Sequence, residues 1–307
     1  MAKQSVLIIG ATGATGSSIV NGLLENGNFV VIAGTRPSSA SKPQAEALKS
    51  RGVEIRIIDL ENWTVDQIAE SLKGVDTVIS TILYTEILRQ KLLADACKKA
   101  GVKRFVPDDW GTACVRGVRQ LYDEKLAIRD YAKDIGINYT FIDVGWWMQI
   151  TPPFIDIKFP SSVMKKAMMS RIGSGDVKCA VTDNRDIGKF VARIISDDRT
   201  LNQYVFCWTQ EVTLNETIAL AERVSGSAID VESVSTNEMA KLVKDSVDKS
   251  LTGLTEYVYS LWVRGDNTVE NAKKKEYGGA LDARELYPEI GKELKTIEDF
   301  AKEFYSK

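Results

Sequence analysis

Histidine is absent from all 307 residues. This excludes Ser-His-Asp and Cys-His nucleophilic catalysis and histidine-ligated zinc. It leaves Lys, Tyr, Asp, Glu and Cys for general acid–base work. Cysteine is scarce and scattered: Cys97, Cys114, Cys179 and Cys207 form no Cys-x-x-Cys pair and read as reduced thiols of a cytoplasmic protein. Large net charge is also missing, the balance being -2, so bulk electrostatics point to neither nucleic acid nor an anionic membrane as partner. No apolar run reaches the length of a membrane span, and the start MAKQSVLIIG reads as a strand start, not as a signal peptide. Internal repeats, low-complexity tracts and long linkers are lacking as well.

What is present is concentrated at the front. Val6-Leu7-Ile8-Ile9 is a short apolar run, followed at once by Gly10-Ala11-Thr12-Gly13-Ala14-Thr15-Gly16 and then by a helical pattern from Ser17 to Leu24. A buried strand turning through glycines into a helix is how a chain holds a dinucleotide pyrophosphate. Glycines let the backbone approach the phosphates, and the helix N-terminus offers free N–H groups and partial positive charge. Gly10, Gly13, Gly16 and the intervening Thr12, Ala14 and Thr15 are therefore expected to bind cofactor. The spacing is GxxGxxG, similar to that of the extended and atypical short-chain dehydrogenases.

Apolar and helical segments alternate up to about residue 145. Strands are expected at 29–33, 53–58, 77–80, 104–106 and 139–142, and helices at 43–51, 64–72, 86–99 and 116–133. This rhythm predicts an α/β fold of Rossmann type, a doubly wound parallel sheet, with ligands beyond the carboxyl ends of the strands. After Gly145 the pattern loosens into an aromatic stretch, with helices expected at 186–195, 215–224, 236–247 and 297–305. The expected division is a nucleotide-binding domain over 1–150 and a smaller, irregular α/β substrate region over 151–307, partly interleaved with the first. With 44% apolar residues the chain can bury a proper core in both.

The end of the second strand narrows the cofactor. NAD enzymes place a carboxylate there for the ribose hydroxyl, whereas NADP enzymes place a cation for the 2′-phosphate. The sequence has Gly34-Thr35-Arg36-Pro37, with Arg36 about twenty residues past Gly16 and no carboxylate expected nearby to repel a phosphate. A guanidinium fork suits phosphate, and Lys42 is a second candidate contact. Asp59 reads either as a contact to the adenine amino group or as an exposed turn residue. The expected cofactor is NADP(H).

The usual short-chain Tyr-x-x-x-Lys pair is missing: no tyrosine has a lysine four residues later, and Tyr122-Asp123-Glu124-Lys125 falls one residue short. Taken alone, Lys125 is either a solvated helix lysine or a desolvated acid–base group beside the nicotinamide.

Gly101-Val102-Lys103-Arg104-Phe105-Val106-Pro107-Asp108-Asp109-Trp110-Gly111 resembles the GVKRF-PSEFG segment of the isoflavone reductase-like family. That family includes phenylcoumaran benzylic ether and pinoresinol-lariciresinol reductases and belongs to the NmrA-like group. Glu124-Lys125-x-x-Ile128-Arg129, Gly136-Ile137-x-Tyr139-Thr140, Asp186-Ile187-Gly188, Asp198-Arg199-Thr200-Leu201-Asn202 and Glu285-Leu286-Tyr287-Pro288 extend the match over nearly the whole chain. The resemblance implies an NADPH-dependent reductase of secondary metabolism with Lys125 as catalytic residue and Arg36 as the NADP arginine. It also implies that Ser80, Thr81 and Ile82 form the turn under the cofactor. Asp108-Asp109-Trp110 stands where plant members have Ser-Glu-Phe, and Trp146-Trp147-Met148 replaces a phenylalanine-rich segment. The Pro107-Asp108-Asp109-Trp110-Gly111 segment looks more like that of fungal members.

The expected reaction is hydride transfer to a flat, conjugated or aromatic small molecule of enone, quinone methide or carbonyl type. Its pocket candidates are Asp109, Trp110, Tyr122, Trp146, Trp147, Met148, Phe154, Phe159, Met164 and Met168, any of which can equally be core. The alternatives are a non-catalytic NADP-binding regulator that acts by protein contact, or an isomerase that retains its cofactor. A monomer or homodimer is expected.

Overall fold

The computed structural model describes residues 3–246 and 249–306. The chain divides into two compact units. The first is built from residues 1–110, 124–142 and 185–205, and the second from 111–123, 143–184 and 206–307. The division is finer than a single cut at residue 150, because the chain passes between the units several times.

The first unit carries the parallel sheet. β1 (Gln4–Ile9), β2 (Phe29–Thr35), β3 (Glu54–Ile57), β4 (Thr77–Ser80) and β5 (Arg104–Val106) stand in the order β3-β2-β1-β4-β5. All pairings are parallel, with Val6 opposite both Val31 and Thr77. Val6, Leu7 and Ile8 have no exposed surface, as expected of a central strand covered on both faces. Strand order reverses at β1, so the crevice beyond the ends of β1 and β4 is the topological switch point where such sheets bind ligands.

Helices α1 (Ala14–Asn26), α2 (Pro43–Ser50), α3 (Val65–Ser71) and α4 (Gln90–Ala100) connect these strands. Glycine ends two of them: Gly27 and Gly101 take the left-handed conformation, at φ 77° and 72°, that side chains resist. Thr64 and Gln67 form a reciprocal cap at the start of α3. The expected helix over 86–99 is a 3₁₀ segment over Tyr84–Arg89 that leads into α4. Helix α5 (Gln120–Asp134) begins four residues later than the 116–133 reading.

A late segment completes this unit. Helix Ile187–Ile194 crosses α1 where Gly22 meets Gly188, and Gly188 N–H donates to Ser18 Oγ at 3.1 Å. A methyl group on Gly188 would lie 1.9 Å from the Ser18 carbonyl oxygen, and one on Gly22 would lie 2.2 Å from the Gly188 carbonyl carbon. Buried Arg104 at the start of β5 donates to Thr140 Oγ1, Thr200 Oγ1 and the carbonyls of Ile194 and Asp197. Asn202 N–H reaches the Tyr139 carbonyl just before β6 (Thr140–Asp143).

The second unit has its own core, in which strand Cys179–Thr182 pairs antiparallel with Gln210–Val212 and parallel with Trp146–Trp147. The terminal helix Ile297–Tyr305 sets Phe300, Phe304 and Tyr305 edge-on against Phe154, with ring centroids 6.0–6.2 Å apart. The helix expected over 236–247 runs over Thr236–Asp245, and Val247 lies outside the described residues. All four cysteines are buried and reduced. Among the described residues, no helix is long and apolar enough to cross a membrane.

Candidate active site

The glycine turn closes β1 onto α1. Gly10 sits at φ 82°, and a methyl group there would fall 2.2 Å from the Thr81 carbonyl oxygen. A methyl on Gly16 would fall 2.2 Å from the Gly10 carbonyl oxygen and 2.8 Å from Thr81 Oγ1. These two glycines let the turn and the end of β4 interlock, and Thr81 N–H and Oγ1 both donate to the Ile9 carbonyl at 2.9 and 2.8 Å. Gly13 differs. It is the N-cap of α1, at φ -74°, and a methyl there would only touch Gly10 O at 3.4 Å. Thr12, Gly13 and Ala14 face outward, no side chain caps α1, and no acidic residue stands in its first turn. Thr15 and Gly16 are buried beneath. An exposed glycine cap over uncapped helical N–H groups fits a pyrophosphate.

Arg36 follows directly on β2 and is exposed, as is Lys42, the N-cap residue of α2. One expectation needs correction here, since a carboxylate does lie near Arg36: Asp59 feels its charge across the fold. Asp59 is spoken for by its own turn, accepting from Asn62 Nδ2 at 2.8 Å and from the N–H groups of Glu61 and Asn62. The Asn62 amide, with those N–H groups and Arg36, holds its carboxyl below the usual range. Arg36 is thus an exposed cation whose neighbouring carboxylate is engaged by its own turn.

Lys125 lies in α5 with only 6% of its surface exposed. Its ammonium donates to the Asp109 backbone carbonyl, and Asp108 Oδ1 stands 3.8 Å away. The Asp109 side chain faces elsewhere: both of its oxygens accept from Arg129 Nε at 3.1 Å, and the residue is 1% exposed. Arg129 lies one helical turn past Lys125 and stacks on Tyr204, 4.3 Å from the ring centre. The pair therefore fixes the backbone that holds Lys125 and has no surface to offer a pocket. Asp108 donates its own N–H to Gln90 Oε1 at 2.6 Å, and its carboxylate receives the Ile82 N–H. Burial pushes the Asp108 carboxyl up to about 7, against the pull of Lys125. The turn at Ser80, Thr81 and Ile82 thus touches the glycine cradle on one side and Asp108 on the other.

Trp110, expected in the pocket, is 5% exposed and donates its indole N–H to the Ser80 carbonyl at 2.8 Å. It holds φ 37°, rare for a bulky residue, braced by its N–H on the Ile142 carbonyl. In the second unit Trp146, Met148, Phe154 and Met168 are buried in the apolar core, whereas Trp147, Phe159 and Met164 stay partly exposed. Tyr122 is buried with its ring 5.2 Å from the Arg119 guanidinium. The sequence reading passed over Leu83, Tyr84 and Leu88, exposed apolar residues directly after the Ser80–Ile82 turn.

A doubly wound sheet with a glycine cradle at its switch point, and a buried lysine beside it, defines a dinucleotide-binding protein of the short-chain class. Within that class the chain belongs to the NmrA-like family, whose model matches residues 2–301. It is 34% identical to asnovolin J 5′,6′-dehydrogenase of Aspergillus novofumigatus, over 97% of this chain and 94% of that protein. Identity to a phenylcoumaran benzylic ether reductase of Nicotiana tabacum is 29%, over 98% and 99% of the two chains. In fold it is similar to leucoanthocyanidin reductase of Vitis vinifera, solved as a binary complex with NADPH, with a TM-score of 0.81 at 23% identity over 99% of this chain and 100% of that one.

Proposed function

We propose that this chain reduces a conjugated or aromatic small molecule of enone, quinone methide or carbonyl type, with Lys125 as general acid. The chain is an NADP(H)-dependent oxidoreductase of the atypical short-chain type. The observation that carries the finer reading is Lys125 itself, a buried ammonium gripped by a backbone carbonyl beside the Ser80–Ile82 turn. Burying a long cationic side chain at strand ends is costly, and a solvated helix lysine would not be held this way.

In this reading Gly13 and the first N–H groups of α1 hold the pyrophosphate over the turn that Gly10 and Gly16 let close, while Arg36, aided by Lys42, holds the 2′-phosphate. Bound NADPH supplies the hydride. Lys125 then donates its proton to the oxygen that gains charge as the substrate is reduced, or steadies that oxygen as an ammonium. Arg129 and Asp109 keep Nζ aimed by pinning the backbone that holds it.

Nicotinamide fluorescence titration tests the cofactor, and NADPH oxidation against a panel of aromatic enones tests the chemistry. Arg36→Ala should weaken NADPH by about 10- to 100-fold, as loss of a charge-assisted hydrogen bond does, and leave NADH little changed. Lys125→Met should bind NADPH and fail to oxidise it. Equal binding of both dinucleotides by the wild type would overturn the Arg36 assignment. Full turnover by Lys125→Met would overturn the general acid.

A further inference from the structure

We infer that Asp108 is the positioning residue that sets the charge on Lys125, the two side chains forming a carboxylate–ammonium couple that shares protons at the strand ends. The inference rests on the reading of Lys125 as the acid and goes beyond it, since it assigns a role to a second side chain.

Asp108 Oδ1 and Lys125 Nζ are 3.8 Å apart, and the two side chains keep only 12% and 7% of their surface. At that separation the contact is too long for a hydrogen bond, so the coupling is electrostatic, and burial of both side chains strengthens it. The charges that bear on Asp108 are Lys125 from α5 and Asp109 from its own turn. Gln90 from α4 takes its N–H as a neutral amide, and the Ile82 N–H from the β4 turn steadies its anion. Asp109 cannot take over this role, because both of its oxygens accept from Arg129. Where the plant segment that this sequence resembles carries serine, this chain carries a group that can hold or release a proton.

Burial and Lys125 act on Asp108 in opposite directions, and the carboxyl settles at about 7. Near neutrality Asp108 is therefore part protonated, and each form has a use. As the anion it keeps Lys125 charged. As the acid it stores the proton that restores Lys125: the lysine N–H bond breaks as the substrate oxygen takes its proton, a side-chain rotation closes the 3.8 Å gap to hydrogen-bond distance, the Asp108 O–H bond breaks as its proton passes to the amine, and a hydronium ion from solvent returns a proton to the Asp108 carboxylate. Asp108 has the larger share of exposed surface of the pair, as this order requires.

The test is an NMR titration of the full chain labelled with ¹³C at lysine Cε and aspartate Cγ, assigned with Lys125→Arg and Asp108→Asn. Asp108→Asn should lower the Lys125 midpoint by about 1–3 pH units, the usual effect of an opposite charge at this range. Asp108→Glu should recover most of that shift, whereas a residue that only packs would leave Glu and Asn alike. The reciprocal variant Lys125→Met should push the Asp108 midpoint above its wild-type value of about 7, and it carries the test if Asp108→Asn fails to fold. Midpoints that stay put in both variants overturn the couple. Turnover of Lys125→Met separates the two claims. Coupled midpoints with full turnover remove the catalytic reading and keep the couple, whereas lost turnover with uncoupled midpoints does the reverse.

Discussion

Changing Gly16 or Gly13 to alanine separates what the cradle needs in order to fold from what it needs in order to bind. At Gly16 the new methyl meets Gly10 O at 2.2 Å, Thr81 Oγ1 at 2.8 Å and Ala11 Cα at 2.9 Å, and two of the three are backbone atoms that cannot swing aside. Overpacking of this kind costs about 1–3 kcal/mol or more, and better helix propensity returns at most about 1 kcal/mol. At about 2–4 °C per kcal/mol for a chain of this size, the melting temperature of the cofactor-free protein should fall by several degrees. Gly13→Ala meets only Gly10 O, at an ordinary 3.4 Å, and its φ of -74° suits any residue. Its cost is the weaker N-cap, about 1 kcal/mol or less. Yet Gly13 lies in the exposed arc of Thr12 to Ala14 at the uncapped end of α1, so a methyl there should crowd a bound pyrophosphate and lower NADPH affinity by at least about tenfold, the cost of displacing one good phosphate contact. Differential scanning fluorimetry and nicotinamide fluorescence on both variants decide it. The reasoning is refuted if Gly13→Ala binds NADPH normally, or if Gly16→Ala melts with the wild type.

Two further outcomes follow from the acid cluster. Arg129→Met takes the guanidinium from a carboxylate that is 1% exposed and should cost about 3–5 kcal/mol in urea unfolding, whereas a loss near 1 kcal/mol would mean that the pair behaves as a surface one. The second concerns pH. The folded pKa of Asp108, about 7, lies above the ordinary 3.8, so between these values the folded state keeps a proton that the unfolded chain releases. Its contribution to stability is complete at the low end of that window and is lost as pH rises through about 7. Asp108→Asn should flatten the fall of unfolding free energy across the window, and an unchanged slope would count against the elevated carboxyl.

The nucleotide-binding unit was legible because its signals are local. Short apolar strands of three to seven residues announce themselves within a short window, and strands 77–80 and 104–106 fall where expected. Lys125 was legible only through a family likeness, since nothing in its neighbours says that it is buried. The role of Asp109 was misleading for a reason that recurs in buried polar sites: its partner Arg129 is 20 positions away, and a charged residue among aromatics reads as a pocket until its counter-charge is found. Large aromatics mislead in the same way. Trp110 and Phe154 suit a substrate wall by chemistry, but one is fixed by an indole hydrogen bond to β4 and the other is ringed by the terminal helix. A helix start at 116 runs through Gly117, whose φ of 82° breaks the helical path, so α5 begins only at Gln120.

The crossing of Gly22 and Gly188 has a consequence for how the chain is made. The helix that packs against α1 is encoded late, and the unit that holds the glycine cradle draws on sequence up to Val205. During synthesis α1 emerges long before the surface that covers it, so its apolar face has to wait for more than half the chain. A fragment ending at residue 150 would contain every expected cofactor contact and still lack one wall of its own core. Folding of this unit is therefore governed by contacts of long sequence separation, a slow topology, and the core beneath the cradle closes only after the chain has been made past residue 194.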